Sequence, residues 1–218
     1  NIYPLYGQID IKGSSEARNK ATQQDLTLQL TAVKSIFESA LELEELPIYE
    51  QFIYQIDEYL KGLKEHFQVD SEQQISEFFK KDIEPGLKHL YTTDELKEQI
   101  QGYFDSIDDK VNVLYNYRKQ YDDTIALINK EMASLLDRKQ VEAQQMYPHY
   151  FERFKTDGVE HNMYVGESIT KEDSFNSIYL YNLRLWQLQV MCEMENSYYQ
   201  MQSEFPVSLD VASMILVF

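Results

Sequence analysis

The sequence predicts a mainly α protein, a multi-helix bundle with a small β element near its C-terminal end. Three observations lead there. Ser14 to about Glu45 and Val111 to Met146 contain neither proline nor glycine, and each carries apolar residues at helical spacing. Ile48, Phe52, Ile53, Ile56, Leu60, Leu63 and Phe67 repeat at threes and fours, the sharpest amphipathic pattern in the chain. Val159, His161, Met163 and Val165 alternate with Glu160, Asn162 and Tyr164, the period of a strand.

Residues 1–13 form a lead-in segment or edge strand, punctuated by Pro4, Gly7 and Gly13, with Ile9 and Ile11 alternating against Asp10 and Lys12. Ser14 and Ser15 offer an N-cap, and Glu16 suits the positive end of a helix dipole. The helix that follows carries Ala17, Ala21, Leu26, Leu30, Val33, Phe37, Ala40 and Leu41 on one stripe. Pro47 stops it and opens the next. Ser71 with Gln74 makes a capping box ahead of Ile75, Phe78, Phe79 and Ile83, and Glu84-Pro85-Gly86 is expected to break that helix. Thr92 with Glu95 caps a helix bearing Leu96, Ile100, Tyr103, Phe104 and Ile107. After a break near Ser106 to Asp109, a long helix is expected through Val111, Leu114, Ile125, Ile128, Met132 and Leu135.

The texture changes at Tyr147. An aromatic run, Tyr147 to Phe151, precedes a turn at Thr156-Asp157-Gly158 and the alternating strand. Thr170 to Asp173 then leads into a last helix with Phe175, Ile178, Leu183, Trp186, Val190, Met194, Tyr198 and Met201. Pro206 closes it before one or two terminal strands in 207–218. The expected organisation is thus 1–13, a helical bundle over 14–146, and 147–218 packed on the same body.

Composition narrows the function classes. Thirty-seven acidic against 20 basic residues give a net charge of −17, which repels a phosphate backbone or an anionic membrane. Nucleic acid and membrane insertion are therefore not expected as partners. No apolar run approaches the roughly 20 residues of a transmembrane helix. The single Cys192 fits a reducing compartment, and a cytoplasmic location is expected. A chain that opens on Asn1 and ends in a strand-like run suggests a piece of a longer protein, with its other domains, or a second copy, as partners.

Catalytic and cofactor patterns are missing. The glycines are too scattered for a phosphate loop, and there is no nucleophile elbow. A di-iron bundle needs Glu-x-x-His, yet Leu63, Gly86, Met146 and Gly158 stand three residues before the four histidines. Neither metal nor cofactor is expected, and no catalytic residue is assigned. His66 and His89 belong on solvated helix faces. Tyr147 to Tyr164 is the most suggestive stretch, with charges set among aromatics. Its simplest reading is core aromatics with a wet charged face. The sharper reading is a ligand pocket drawing on His149, Tyr150, Glu152 and Tyr164, with Trp186 from the last helix.

Three stretches carry a resemblance: Tyr6 to Ser15 with Arg18-Asn19, Tyr147 to Glu152 with Lys155 to Glu160, and Asn182-Leu183-Arg184-Leu185-Trp186. Together they resemble the helical portion of large bacterial GAF-domain-containing proteins, described as sensory or signalling proteins. The resemblance implies a helical region beside the sensory domain, because a GAF domain is built on a central antiparallel sheet. No ligand-binding residue carries over. The function expected is a non-enzymatic structural or interaction module of a cytoplasmic signalling protein. The alternatives are a small-molecule sensor using the 147–164 aromatics, or part of an enzyme completed by flanking sequence.

Overall fold

A computed structural model describes residues 1–65, 67, 69–92, 94–169 and 175–216. Of the described residues 68% are helical, and the β structure is antiparallel. In order, the elements are β1 (Tyr3–Lys12), α1 (Ser14–Leu43), α2 (Pro47–Glu65), α3 (Val69–Phe78), a π-helical turn (Phe79–Ile83), α4 (Glu84–Leu90) and α5 (Asp94–Asp105). There follow β2 (Ile107–Asp108), β3 (Val113–Leu114), α6 (Tyr117–Met146), β4 (Tyr150–Lys155), β5 (Val159–Val165), α7 (Ser177–Met201) and β6 (Asp210–Leu216). His66, Thr170 to Asp173 and the last two residues of the expected terminal strand lie outside the described residues.

The chain forms two compact units, Arg18–Lys119 and Asn1–Ala17 with Gln120–Phe218. The two boundaries stand after Ala17 and after Lys119. Both fall inside helices, α1 and α6, where the apolar stripe continues without a break that sequence could register.

The helical unit, 18–119, buries Leu30, Val33, Phe37, Ile56, Ile83, Leu87 and Ile100 almost completely. Phe37 meets Phe52 edge-on, with ring centroids 5.1 Å apart. The expected break at Pro85 does not occur. Proline lacks an N–H, but the wider π turn before it lets the Glu84 N–H reach the Phe79 carbonyl, one residue further back than in an α-helix. Pro85 then occupies the first turn of α4 without a lost bond. Three other expectations fail here. Helix α3 begins at Val69, so Ser71 lies inside it and not at its N-cap. Thr92 donates its hydroxyl backwards to the His89 carbonyl at 2.8 Å instead of capping α5. Residues 107–114 pair as the β2–β3 hairpin instead of starting a helix, which leaves Val111 exposed and turns Leu114 inward. Asn112 adopts a positive φ of 56° there, a conformation that asparagine tolerates.

The second unit is a four-stranded antiparallel sheet in the order β4-β5-β1-β6. Residues 1–13 are therefore no edge strand: β1 pairs Leu5 with Met163 on one side and Ile11 with Val211 on the other. Its alternation fixes the faces, with Leu5, Ile9 and Ile11 inside. Helix α7 packs on that inner face through Leu183, Trp186, Val190, Met194 and Tyr198. Ile178 does not join them, being 53% exposed on the opposite side of α7. The C-terminal part of α6 adds Ile128, Met132 and Leu136 to the core. Gly13 turns the chain from β1 into α1 at φ 64°, and Ser14 behind it is tied rather than capping freely. Its hydroxyl lies 2.7 Å from that of Tyr121 and donates to Asp157 at 2.8 Å.

Candidate functional site

The five sequence-selected residues divide between two places in the sheet unit. Tyr150, Glu152 and Tyr164 share the outer face, since Tyr150 is opposite Tyr164 and Glu152 is opposite Asn162 in the β4–β5 register. His149 and Trp186 lie inside and do not reach them, at 7% and 5% exposure.

The outer face is a set of cross-strand rows. One runs Glu152, Asn162, Tyr6, Leu216, and the next Phe154, Glu160, Gln8, Met214. Between β5, β1 and β6 they frame a groove of about 330 Å³. Tyr6 and Tyr164 pack edge to face at 6.2 Å, and Tyr150 lies 5.8 Å from Tyr164. The Tyr150 hydroxyl donates to Glu152 Oε2 and the Asn162 amide to Glu152 Oε1, each at 3.2 Å. That bond and the adjacent carboxylate charge hold Tyr150 above the ordinary phenol range. The hydrogen bond with Tyr6 raises Tyr164 likewise. Tyr150, Phe154, Met214 and Leu216 are all about half exposed, so this side of the sheet is bare. Phe151, on the other side of β4, is only half buried, against the sequence expectation of a core position.

Inside, polar groups sit among the apolar ones, His161 at the inward position that the strand alternation gave it. His161, 1% exposed, lies 3.1 Å from the Gln187 side-chain amide, which donates to Nε2 and leaves the imidazole proton on Nδ1. That nitrogen has no hydrogen-bond partner among the described residues. Opposite it in register is Gly7, and a Cβ there would fall 2.4 Å from the imidazole ring. Glycine is what leaves room for the ring against β1. His149 donates from Nδ1 to the Tyr147 carbonyl at 2.7 Å and accepts from Gln140 at 2.6 Å.

Burial pushes the His161 pKa down to about 4 and lowers His149 in the same direction. The unfolded chain takes up the His161 proton near 6.5 and the folded chain not until about 4. Below pH 6.5 the unfolded state therefore binds more protons. Stability present above 6.5 is lost as pH falls toward 4, by roughly 2–3 kcal/mol at pH 4.5. Denaturant titrations at pH 7.5 and 4.5 should record that loss, and His161→Gln should remove most of it. An unchanged pH slope in the variant would contradict the assignment.

A second site lies in the helical unit. Asp25, fully buried, accepts the backbone N–H groups of Asn116, Tyr117 and Arg118 at 2.9–3.1 Å, closing the N-terminus of α6. The Arg118 guanidinium reaches Asp25 Oδ2 at 3.1 Å, Glu72 Oε1 at 3.0 Å and the Leu114 carbonyl at 2.9 Å. Gln29, one turn beyond Asp25, donates to the Tyr103 hydroxyl at 3.1 Å and accepts from Leu114 N at 3.3 Å. Burial drives Tyr103 up to about 12. Beside this network opens a cleft of about 870 Å³ whose wall includes Gln29, Glu72, Lys80, Lys88, Tyr103 and Arg118. Sequence reasoning missed it. The available signal was two polar residues, Asp25 and Gln29, set among the buried Leu26, Leu30 and Val33.

Among the described residues no group of three or more His, Cys, Asp or Glu side chains could hold a metal ion. None of the described helices is long and apolar enough to cross a membrane.

The family described as "YeeD uncharacterised protein" matches residues 20–132, more than half of the chain. The chain belongs to the YeeD family. The matched segment takes in the whole Asp25–Arg118 network and the cleft beside it, whereas the β4–β5 face lies outside. Nothing in the match links the YeeD family to GAF-domain signalling proteins. No curated protein and no solved structure matches the chain.

Proposed function

We propose that this chain is a non-enzymatic interaction module of a cytoplasmic signalling protein, and that its bare sheet face receives a cationic segment of a partner. The observation that carries this is the juxtaposition of the Tyr6, Tyr150 and Tyr164 rings with the Glu152 carboxylate on an uncovered face. Aromatic faces attract a guanidinium or ammonium, and a carboxylate at their edge adds charge pairing. The signalling context is what the resemblance to GAF-containing proteins implies. Against chemistry at the aromatic stretch, its two histidines are enclosed and neutral at pH 7, which suits packing better than proton transfer.

Calorimetric titration with an arginine-containing peptide tests the proposal. Tyr164→Ala and Glu152→Gln should each weaken binding about 5- to 10-fold, while Glu44→Gln, an exposed acid in the helical unit, should leave it unchanged. Equal loss in all three would mean diffuse attraction to a −17 chain and would sink the proposal. Glu152→Ala should shift stability by less than about 0.5 kcal/mol, since its bonds are exposed or half exposed.

A second reading, a small-molecule sensor, is favoured by the 870 Å³ cleft within the family-matched segment. Its wall, charged side chains set among Phe79, Tyr103 and Phe104, belongs to a different part of the chain from the aromatic pocket expected from residues 147–164. A saturable thermal shift with a metabolite, abolished by Lys80→Ala with Lys88→Ala in a still-folded protein, would favour it over the interaction module.

A further inference from the structure

Helix α7 is apolar on two opposite faces. One is the inner stripe already described. The other runs Ile178, Tyr181, Leu185, Leu188, Cys192, Glu195, Tyr199, alternating steps of three and four throughout. Ile178, Tyr181, Leu185, Leu188 and Tyr199 are each at least half exposed, Leu185 reaching 60%, and Cys192 is exposed as well. An amphipathic surface helix has no use for a second apolar face. A strict seven-residue repeat is also a specific shape: it is the seam along which one helix coils around another, through a and d positions that interlock as knobs into holes. The spacing thus names the occupant's secondary structure.

Charge indicates whose helix it is. Charged residues make up 26% of the chain and sum to −17, yet α7 holds only Arg184, Glu193 and Glu195. Glu193 is neutralised by Lys139 at 2.9 Å, and Glu195, the seam's polar interruption, accepts from the Ser213 backbone at 3.2 Å. Beside the seam stand Asn182, Gln189 and Asn196, exposed amides at the same seven-residue interval. A basic partner would be drawn to the acidic surfaces and find only Glu195 to select on this face. A second copy would be repelled by those surfaces and meet on this face one seam carboxylate, Glu195, already bonded to the Ser213 backbone. Carboxamides both donate and accept, so they can pair with their own counterparts. We propose that α7 pairs with α7 of a second copy of this chain through the Ile178–Tyr199 seam.

The test is sedimentation velocity on the 218-residue chain and on the variant Leu185→Asp with Leu188→Asp, each checked by circular dichroism. Both leucines face away from the core, so the variant should fold and melt like the parent. The parent should sediment at twice the 25.9 kDa of one chain, and the variant should associate at least about 100-fold more weakly. Maleimide labelling locates the interface. Cys192, the only cysteine, should react about 10-fold more slowly in the concentrated parent than in the variant, because thiol reaction follows access. A parent that stays monomeric at about 100 μM, above the micromolar dissociation constants of ordinary weak complexes, overturns the proposal and leaves the face to a different polypeptide. So does a dimer that survives the double substitution, or one in which Cys192 labels at the monomer's rate.

Discussion

Asp25→Ala is expected to cost about 3–5 kcal/mol, the usual penalty for stranding a buried charge. Three things fail together. The Arg118 guanidinium, whose side chain is only 13% exposed, loses its buried carboxylate and keeps the exposed Glu72 and the Leu114 carbonyl. The N–H groups of Asn116, Tyr117 and Arg118 lose their common acceptor at the first turn of α6. A void opens beneath Gln29, whose bonds to Tyr103 and Leu114 hold the β2–β3 hairpin against the helices. Urea unfolding measures the sum. Asp25→Asn, which keeps the size and one acceptor oxygen, should lose about half as much. Arg118→Met should be milder still, because the carboxylate would retain its three backbone donors. An alanine variant within about 1 kcal/mol of the parent would show that the network contributes geometry and not stability.

Trp186→Ala is the comparable blow to the sheet unit, again about 3–5 kcal/mol, as large aromatic deletions from a core cost. Trp186 is 5% exposed and sits on the inner face of α7 between Leu183 and Val190, which are buried with it. Phe151→Ala should cost less, since Phe151 is only partly buried. Matching losses from Trp186, Phe151 and Glu152 would contradict the division of these positions between interior and outer face. Melting curves followed by tryptophan fluorescence on the parent, and by circular dichroism on all variants, decide it.

The fold class was legible because periodicity survives wherever one face is buried. Strand β5 alternates in burial residue by residue, and in α2 Phe52, Ile56 and Leu63 are buried as their spacing implies, although Ile48 is exposed and Tyr49 is buried in its stead. What was not legible depended on bonds between residues distant in sequence. Nothing near Ile9 says that β1 will be flanked on both sides, by residues 159–165 and 210–216. Pro85 followed by glycine reads as a stop, and only the slipped hydrogen bond at Phe79 lets the helix pass. Of the five residues selected for a ligand site, Tyr150, Glu152 and Tyr164 do converge, because strand alternation places them on one face. Trp186 and His149 resemble site residues by type alone, and their interior positions follow from the packing of α7 and from a two-residue turn onto the Tyr147 carbonyl. The Asp25–Arg118 contact spans 93 positions, beyond the reach of any local pattern.

The place of β1 at the centre of its sheet also sets a timetable for biosynthesis. Both its pairing partners come from the far end of the chain, the later one beginning at Asp210. At about 5–20 residues per second, translation leaves β1 without its second neighbour for on the order of 10–40 s after it is made. The helical unit, contiguous from Arg18 to Lys119, can condense in that interval, whereas the sheet must wait for the final strand. The newborn chain thus trails an apolar ribbon, Leu5, Ile9 and Ile11, that cannot yet be buried by its own sequence. Asp10 and Lys12, exposed charges on the other face of the strand, disfavour its pairing with a neighbour on the next ribosome.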